Sequence, residues 1–367
     1  MPPKKSVQLS GVSVAETAIC SIDPDQGVLM YRGYDIADLA EHSTYEGVAY
    51  LLLEGELPTS EELDVFRDEL AQRELPPHVE AIIDENARRA HPMEMLRTAT
   101  SALSFTDPDE AATDRANERR KAAALIAQLP TIVARYERRR ARREPVAPDR
   151  SLSYAENFLT MLRGESPSEE EARAFDVAMI LHAEHEMNAS TFTARVVAGT
   201  NADLHSTVVA AMCALKGPLH GGANQAAMEV MDEFGSPDRV ADGVAARLEA
   251  KRPLYGHGHP LYRALDPRVP ILKSFTEQFD ASYHELAAAY QREAYEQKGL
   301  FANVDLYSGV LYKHLGIPTD LFIPLFEMSR VVGQAAHVLE QHADNRIIRP
   351  SAEYVGPERR SFPVRTS

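Results

Sequence analysis

Cysteine is scarce in this chain, with Cys20 and Cys213 its only two. Two thiols cannot build a disulfide framework or a cysteine zinc site, so a reducing compartment is the expected setting. No stretch approaches the roughly eighteen consecutive apolar residues of a membrane span, and residues 1–11 lack the apolar centre of a secretory signal. We therefore expect a cytoplasmic protein with no membrane partner. Positive charge is in deficit as well: 39 lysines and arginines stand against 55 aspartates and glutamates, a formal net charge of −16. That balance argues against a nucleic-acid partner, and it requires any anionic substrate to be met by locally placed arginines. No internal repeat is visible, and strand-like patterning almost vanishes after residue 33.

What the chain does have is length and helical periodicity. At 367 residues, 44% hydrophobic and 26% charged, it can bury a large core and divide into two or three domain-sized units. A turn signal at 23–27 between short apolar runs predicts a small hairpin within 11–33. Apolar residues then recur at three-to-four spacing over 35–40, 45–53, 61–73, 79–89 and 93–103, separated by prolines, which predicts a packed helical array. One long helix is expected over 112–143. It ends in the basic run Arg138 to Arg143, which reads as a solvated helix terminus because it has no interleaved aromatics. After a helix at 154–162, a single helix over 169–197 is expected to carry His182, Glu184, His185 and Glu186. Histidines three apart share a helix face, so a metal site is one reading there; the spacing is not that of a zinc-protease helix and no third ligand is evident.

The densest punctuation lies at Lys216-Gly217-Pro218-Leu219-His220-Gly221-Gly222-Ala223-Asn224. His220 falls between two helical runs, where paired glycines expose the next helix's first N–H groups. The positive end of that helix disfavours imidazolium, so a neutral, hydrogen-bond-donating histidine is one reading and a capping histidine the other. A second flexible loop, Tyr255-Gly256-His257-Gly258-His259-Pro260-Leu261-Tyr262, is followed by Asp266-Pro267-Arg268. Helices are expected at 226–234, 239–251, 282–297 and 319–339, the last holding Arg330, with Arg346 and Arg349 beyond it. Asp305, in Asn303-Val304-Asp305-Leu306-Tyr307-Ser308-Gly309, stands at a helix start, where it is either an N-cap or a reactive carboxylate.

Two loop histidines, one aspartate and several arginines suit acid–base chemistry on an anionic carbonyl compound. Taking a proton from carbon beside a carbonyl needs a carboxylate at the carbon and a neutral donor at the oxygen, so that an enol forms. Arginines suit carboxylates because the planar fork pairs bidentately and keeps its charge.

Over nearly its whole length the chain resembles the citrate synthase family, in its short bacterial and archaeal form. The resemblance is carried in order by 11–16, 31–36, 55–59, 91–93, 182–191, 217–224, 256–268, 303–309 and Arg349-Pro350. It implies an all-α, two-domain helical fold with a small N-terminal hairpin. Residues 1–221 and 317–367 would form the large domain and 222–316 the small one, with His220 at the junction. It implies condensation of acetyl-CoA with oxaloacetate and hydrolysis of citryl-CoA, with Asp305 as base, His220 on the thioester oxygen and His259 on the ketone. His185, Arg268, Arg330 and, from the second subunit of a homodimer, Arg349 would bind oxaloacetate. Arg263 and Lys298 would meet coenzyme A, and Asn188 and Ser190 would support the site. No metal or cofactor is implied, coenzyme A thioester being a substrate, and the short form implies a dimer without NADH control.

Two departures stand out. His257 and Pro260 replace the family's aromatic and arginine, and Ser351 replaces a third arginine after Arg349-Pro350. His259 is assigned over His257 because it keeps the nine-residue step to Arg268. The alternatives are a 2-methylcitrate synthase using propionyl-CoA, a non-catalytic acyl-CoA-binding relative, and a metal-dependent lyase using His182 and His185.

Overall fold

A computed structural model describes residues 9, 11–71, 74–279 and 281–361. The hairpin forms as expected, with β1 (Cys20–Asp23) antiparallel to β2 (Val28–Tyr31), and a third strand, β3 (Tyr34–Asp35), extends it. Asp23 makes the turn, its Oδ1 accepting the N–H groups of Asp25 and Gln26 at 3.0 Å.

Helices account for the rest of the regular structure. The first five are α1 (Ile36–His42), α2 (Tyr45–Glu54), α3 (Ser60–Ala71), α4 (Pro77–Asn86) and α5 (Pro92–Leu103). The long helix is α6 (Arg115–Arg140), capped by Asp114, with Leu125, Ile126, Leu129, Ile132 and Val133 buried along one stripe. Its basic end is tied down rather than merely solvated: Arg139 pairs with Asp84 and Glu144, and Arg140 with Glu137 and Asp320. Next come α7 (Tyr154–Arg163) and α8 (Glu169–His182), each opened by a serine–glutamate capping box.

The single helix expected over 169–197 is in fact two. After α8 the backbone leaves the helix at residues 183–188, and α9 (Ala189–Ala198) restarts beyond it. Glu186 sits at φ +51°, and Asn188 caps α9 by accepting the N–H groups of Ser190 and Thr191. His182 and His185 therefore do not share a helix face. His182 is buried beside Phe326 and Tyr312, with Nδ1 bonded to Ala178 O. Among the described residues no group of three or more metal-capable side chains is found.

The remaining helices are α10 (Leu204–Leu215), α11 (Ala223–Phe234), α12 (Val240–Glu249), α13 (Arg268–Phe279), α14 (Ala281–Lys298), α15 (Val304–His314) and α16 (Phe322–Ala343). Helix α13 escapes the periodicity reading because Pro270 and its polar residues obscure its buried stripe of Val269, Leu272 and Thr276. Helix α16 packs on α2, α6, α8, α9 and α10 and is buried over most of its length. Helix α15 packs against α11, α13 and α14. No described helix is long and apolar enough to cross a membrane.

Candidate active site

The turn after α10 is closed by His220 N–H to Gly217 O at 2.9 Å and Gly221 N–H to Leu215 O at 3.0 Å. A Cβ on Gly221 would stand 2.7 Å from Leu215 O, so only glycine permits a turn this tight. His220 is thereby held against the start of α9, where the Ser190 N–H donates to its Nε2 at 3.3 Å and Ser190 Oγ lies 3.0 Å away. A ring that accepts at Nε2 carries its proton on Nδ1. Burial, assisted by Arg330, holds His220 down to about 4, so it is neutral at physiological pH. Of the two readings open from the sequence, a neutral ring and a capping ring, the first is favoured here by burial rather than by the end of α11.

The glycine–histidine loop is fastened to the start of α15. Gly258 N–H donates to Phe301 O at 2.8 Å, Asn303 Nδ2 to Gly258 O at 2.8 Å, and Asn303 N–H to Gly256 O at 2.9 Å. His259 Nδ1 accepts the N–H groups of Leu261 and Tyr262 at 3.1 and 3.3 Å, so its proton sits on Nε2. Burial and the charge of Arg268 hold it down to about 4. His257, by contrast, packs edge-on against Tyr290 at 4.3 Å, with its Nε2 buried and unpartnered.

Asp305 does not cap its helix. Asn303 is the N-cap, accepting Asp305 N–H at 3.0 Å, which leaves the aspartate carboxyl in the first turn for other use. Burial raises it to about 6 against the opposing pull of Arg268. Arg268, buried at the start of α13, is gripped by Asp266 at 2.9 and 2.7 Å; Asp266 Oδ2 also accepts Val304 N–H at 3.2 Å. Arg330, from the centre of α16, donates Nε to His182 O at 2.5 Å and lies over the Phe326 ring. Among the described residues no carboxylate lies within ion-pair distance of it. His185 stands 5.0 Å ring to ring from His259 and 3.1 Å from Tyr262 Oη.

These elements enclose one cavity of about 590 Å³, whose wall includes His185, His220, His259, Arg268, Asp305 and Arg330. A cavity of about 410 Å³ elsewhere, between α3, α6 and α7, contains no histidine. The combination of one elevated carboxyl, two neutral imidazoles with fixed protons and two buried guanidiniums can abstract a carbon-bound proton, donate to two oxygens and hold a dianion. Three expected contributors lie outside the wall. Arg263 is exposed and paired with Asp25 at 2.7 Å; Lys298 is exposed at the end of α14; and Arg349 is exposed beyond α16.

A family model described as citrate synthase, C-terminal domain, matches residues 8–351. The chain belongs to the citrate synthase family. It is 44% identical over 365 residues to the citrate synthase of Haloferax volcanii, covering 96% of both chains. It is also 41% identical to the 2-methylcitrate synthase of Shewanella oneidensis, covering 95% of this chain and 94% of that one. The citrate synthase of Thermoplasma acidophilum, solved in a ternary complex with carboxymethyl coenzyme A and oxaloacetate, superposes with a TM-score of 0.91 at 33% identity, with 97% of each chain covered.

Within this citrate synthase fold the site also uses residues that sequence reasoning did not assign. Asp266 orients Arg268, and Tyr262 meets both His185 and His259. Asp266 was detectable as the acid two residues before an arginine. The hydrogen bond of Tyr262 gave no signal, because its partner His185 lies 77 residues away.

Proposed function

We propose that this chain condenses acetyl-CoA with oxaloacetate and hydrolyses the resulting citryl-CoA to citrate and coenzyme A. The observation that carries the reading is the shared cavity, whose wall holds Asp305, two neutral histidines with assigned protons and two buried arginines. The Asp305 carboxylate takes a proton from the acetyl methyl group while His220 Nδ1–H shares its proton with the thioester oxygen and recovers it when the carbon attacks, so the electron pair settles into an enol rather than a free enolate. The enol carbon attacks the ketone carbon of oxaloacetate, and His259 Nε2–H gives its proton to the forming alkoxide. Water then cleaves the thioester. Arg268, Arg330 and His185 hold the two carboxylates, joined by Arg349 from the second subunit of a cytoplasmic homodimer. Movement of residues 222–316 against the rest brings Arg263 and Lys298 toward coenzyme A and excludes water from the enol.

Thiol release tests this directly, with purified protein, oxaloacetate and either acetyl-CoA or propionyl-CoA. Release dependent on both substrates and faster with acetyl-CoA is the expected outcome. The 41% identity to a 2-methylcitrate synthase favours one second reading, in which propionyl-CoA is preferred. A larger kcat/KM for propionyl-CoA would establish it instead.

A further inference from the structure

Beneath the cavity, α16 carries a polar system that the reaction above leaves unused. Glu184 is fully buried, with Oε1 3.0 Å from His337 Nε2 and Oε2 lacking any hydrogen-bond partner. His337 Nδ1 accepts from Arg195 Nε at 3.0 Å and from Arg195 Nη2 at 2.8 Å. A guanidinium only donates, so Nδ1 must be the lone-pair nitrogen and the proton of the neutral ring points from Nε2 to Glu184. Arg195 continues to Glu340 and Gln341, and Glu340 Oε1 accepts the Ala18 N–H at 2.9 Å. The row runs from the half-buried Glu340 carboxylate through the Arg195 guanidinium and the neutral His337 ring to the fully buried Glu184 carboxylate.

The field of Glu184 also reaches Arg330. Burial lowers the Arg330 pKa, and the field of Glu184 is the first effect opposing it. Yet the two groups form no ion pair, so the charge is balanced from a distance, and among the described residues no hydrogen bond engages the Nη donors of Arg330. The backbone around Glu184 is held as well. Tyr31 Oη donates to Glu184 O at 2.8 Å, and Gly333 of α16 lies so close that a Cβ there would overlap Glu184 Oε2 and Ala183 O.

We propose that Glu184 and His337 are positioning residues for the dicarboxylate substrate. His337 fixes the Glu184 carboxylate, and Glu184 balances Arg330 while leaving its fork to bind beside the adjacent His185. The inference rests on reading Arg330 and His185 as oxaloacetate ligands.

The test is calorimetric binding of oxaloacetate to the free protein, with steady-state kinetics for both substrates, on His337→Leu, His337→Gln and Arg330→Ala. His337→Leu should weaken oxaloacetate about tenfold or more while leaving KM for acetyl-CoA within about twofold. His337→Gln can still donate to Glu184 and accept from Arg195, so it should stay within about threefold of the parent. Unchanged oxaloacetate binding in His337→Leu, equal losses for both substrates, or no rescue by glutamine would overturn the proposal. Should the leucine variant fail to fold, Glu184→Gln keeps the shape and removes the charge; the same loss of oxaloacetate affinity is expected, and normal affinity would overturn the idea. Arg330→Ala separates the two layers: normal binding there sinks the substrate assignment itself, whereas weak binding there with normal His337→Leu sinks the relay alone.

Discussion

At the scale of single residues, the site depends on a carboxyl whose burial works against its ionisation. Asp305 is raised to about 6, so its base form is lost as pH falls through that value. We expect kcat/KM for acetyl-CoA to decline below about pH 6, with no second decline caused by His220 or His259 above pH 5, since both are held near 4. A pH–rate profile that stays flat to pH 5 would contradict this. Asp305→Asn should cut turnover by about two to four orders of magnitude. It should also melt no lower than the parent at pH 7. A carboxyl whose folded pKa is raised contributes most to stability below its unfolded pKa, near 4, and loses that contribution as pH rises through about 6. The variant's advantage in melting temperature should therefore shrink between pH 7 and pH 4. For the loop histidines, His259→Ala should lose about a hundredfold or more in kcat while His257→Ala stays within about tenfold, because only His259 meets His185 and Tyr262. Parallel kinetics on the two variants decide it, and a dead His257→Ala would reverse the assignment.

At the scale of elements, three junctions place the chemistry. The turn between α10 and α11 presents His220, the break between α8 and α9 presents His185 and Ser190, and the Asn303 cap joins the loop of His259 to the helix of Asp305. Asp266 strengthens the last junction by bonding both Arg268 and the start of α15. At the break after α8, Gly333 of α16 lies against Ala183 and Glu184, an approach that a Cβ would block. Gly333→Ala should destabilise the protein by about 1–3 kcal/mol, since backbone and a buried carboxylate would have to move. Thermal or urea unfolding measures it, and a loss under about 0.5 kcal/mol would mean that the contact is not tight. The sequence showed the glycines and histidines of these junctions but not the break in α8. Its apolar stripe runs from Phe175 through Ile180 to Phe192 and Val196 without a glycine or proline; the one local cue is Asn188, which caps α9, and Tyr31 and Gly333 hold the break in place.

At the scale of the molecule, the cavity of one chain is incomplete by the proposed reading, because Arg349 lies exposed beyond α16 and away from it. A homodimer with a twofold axis would supply Arg349 to each site from the opposite chain. Mixing Arg349→Ala with Asp305→Asn, each nearly inactive alone, tests this by complementation after joint refolding or co-expression. Random mixing makes about half the dimers hybrid, each with one intact site, so activity should recover to about a quarter of the parent. Mixtures no more active than the average of the two variants would place Arg349 in its own chain's site or in none.

Sequence alone determined the helical class, the hairpin and six residues that meet in one cavity wall, His185, His220, His259, Arg268, Asp305 and Arg330. Each of these is written in local spacing: apolar residues at helical period, glycines beside histidines, an aspartate in a helix's first turn. Tertiary structure decided what those residues can do. Whether Asp305 caps a helix or stays available depended on Asn303 taking the cap, and whether the histidines are neutral depended on how deeply packing buries them. The pairing of Glu184 with His337 spans 153 residues and leaves no local trace, because charge balance inside a core is set by which side chains meet in space.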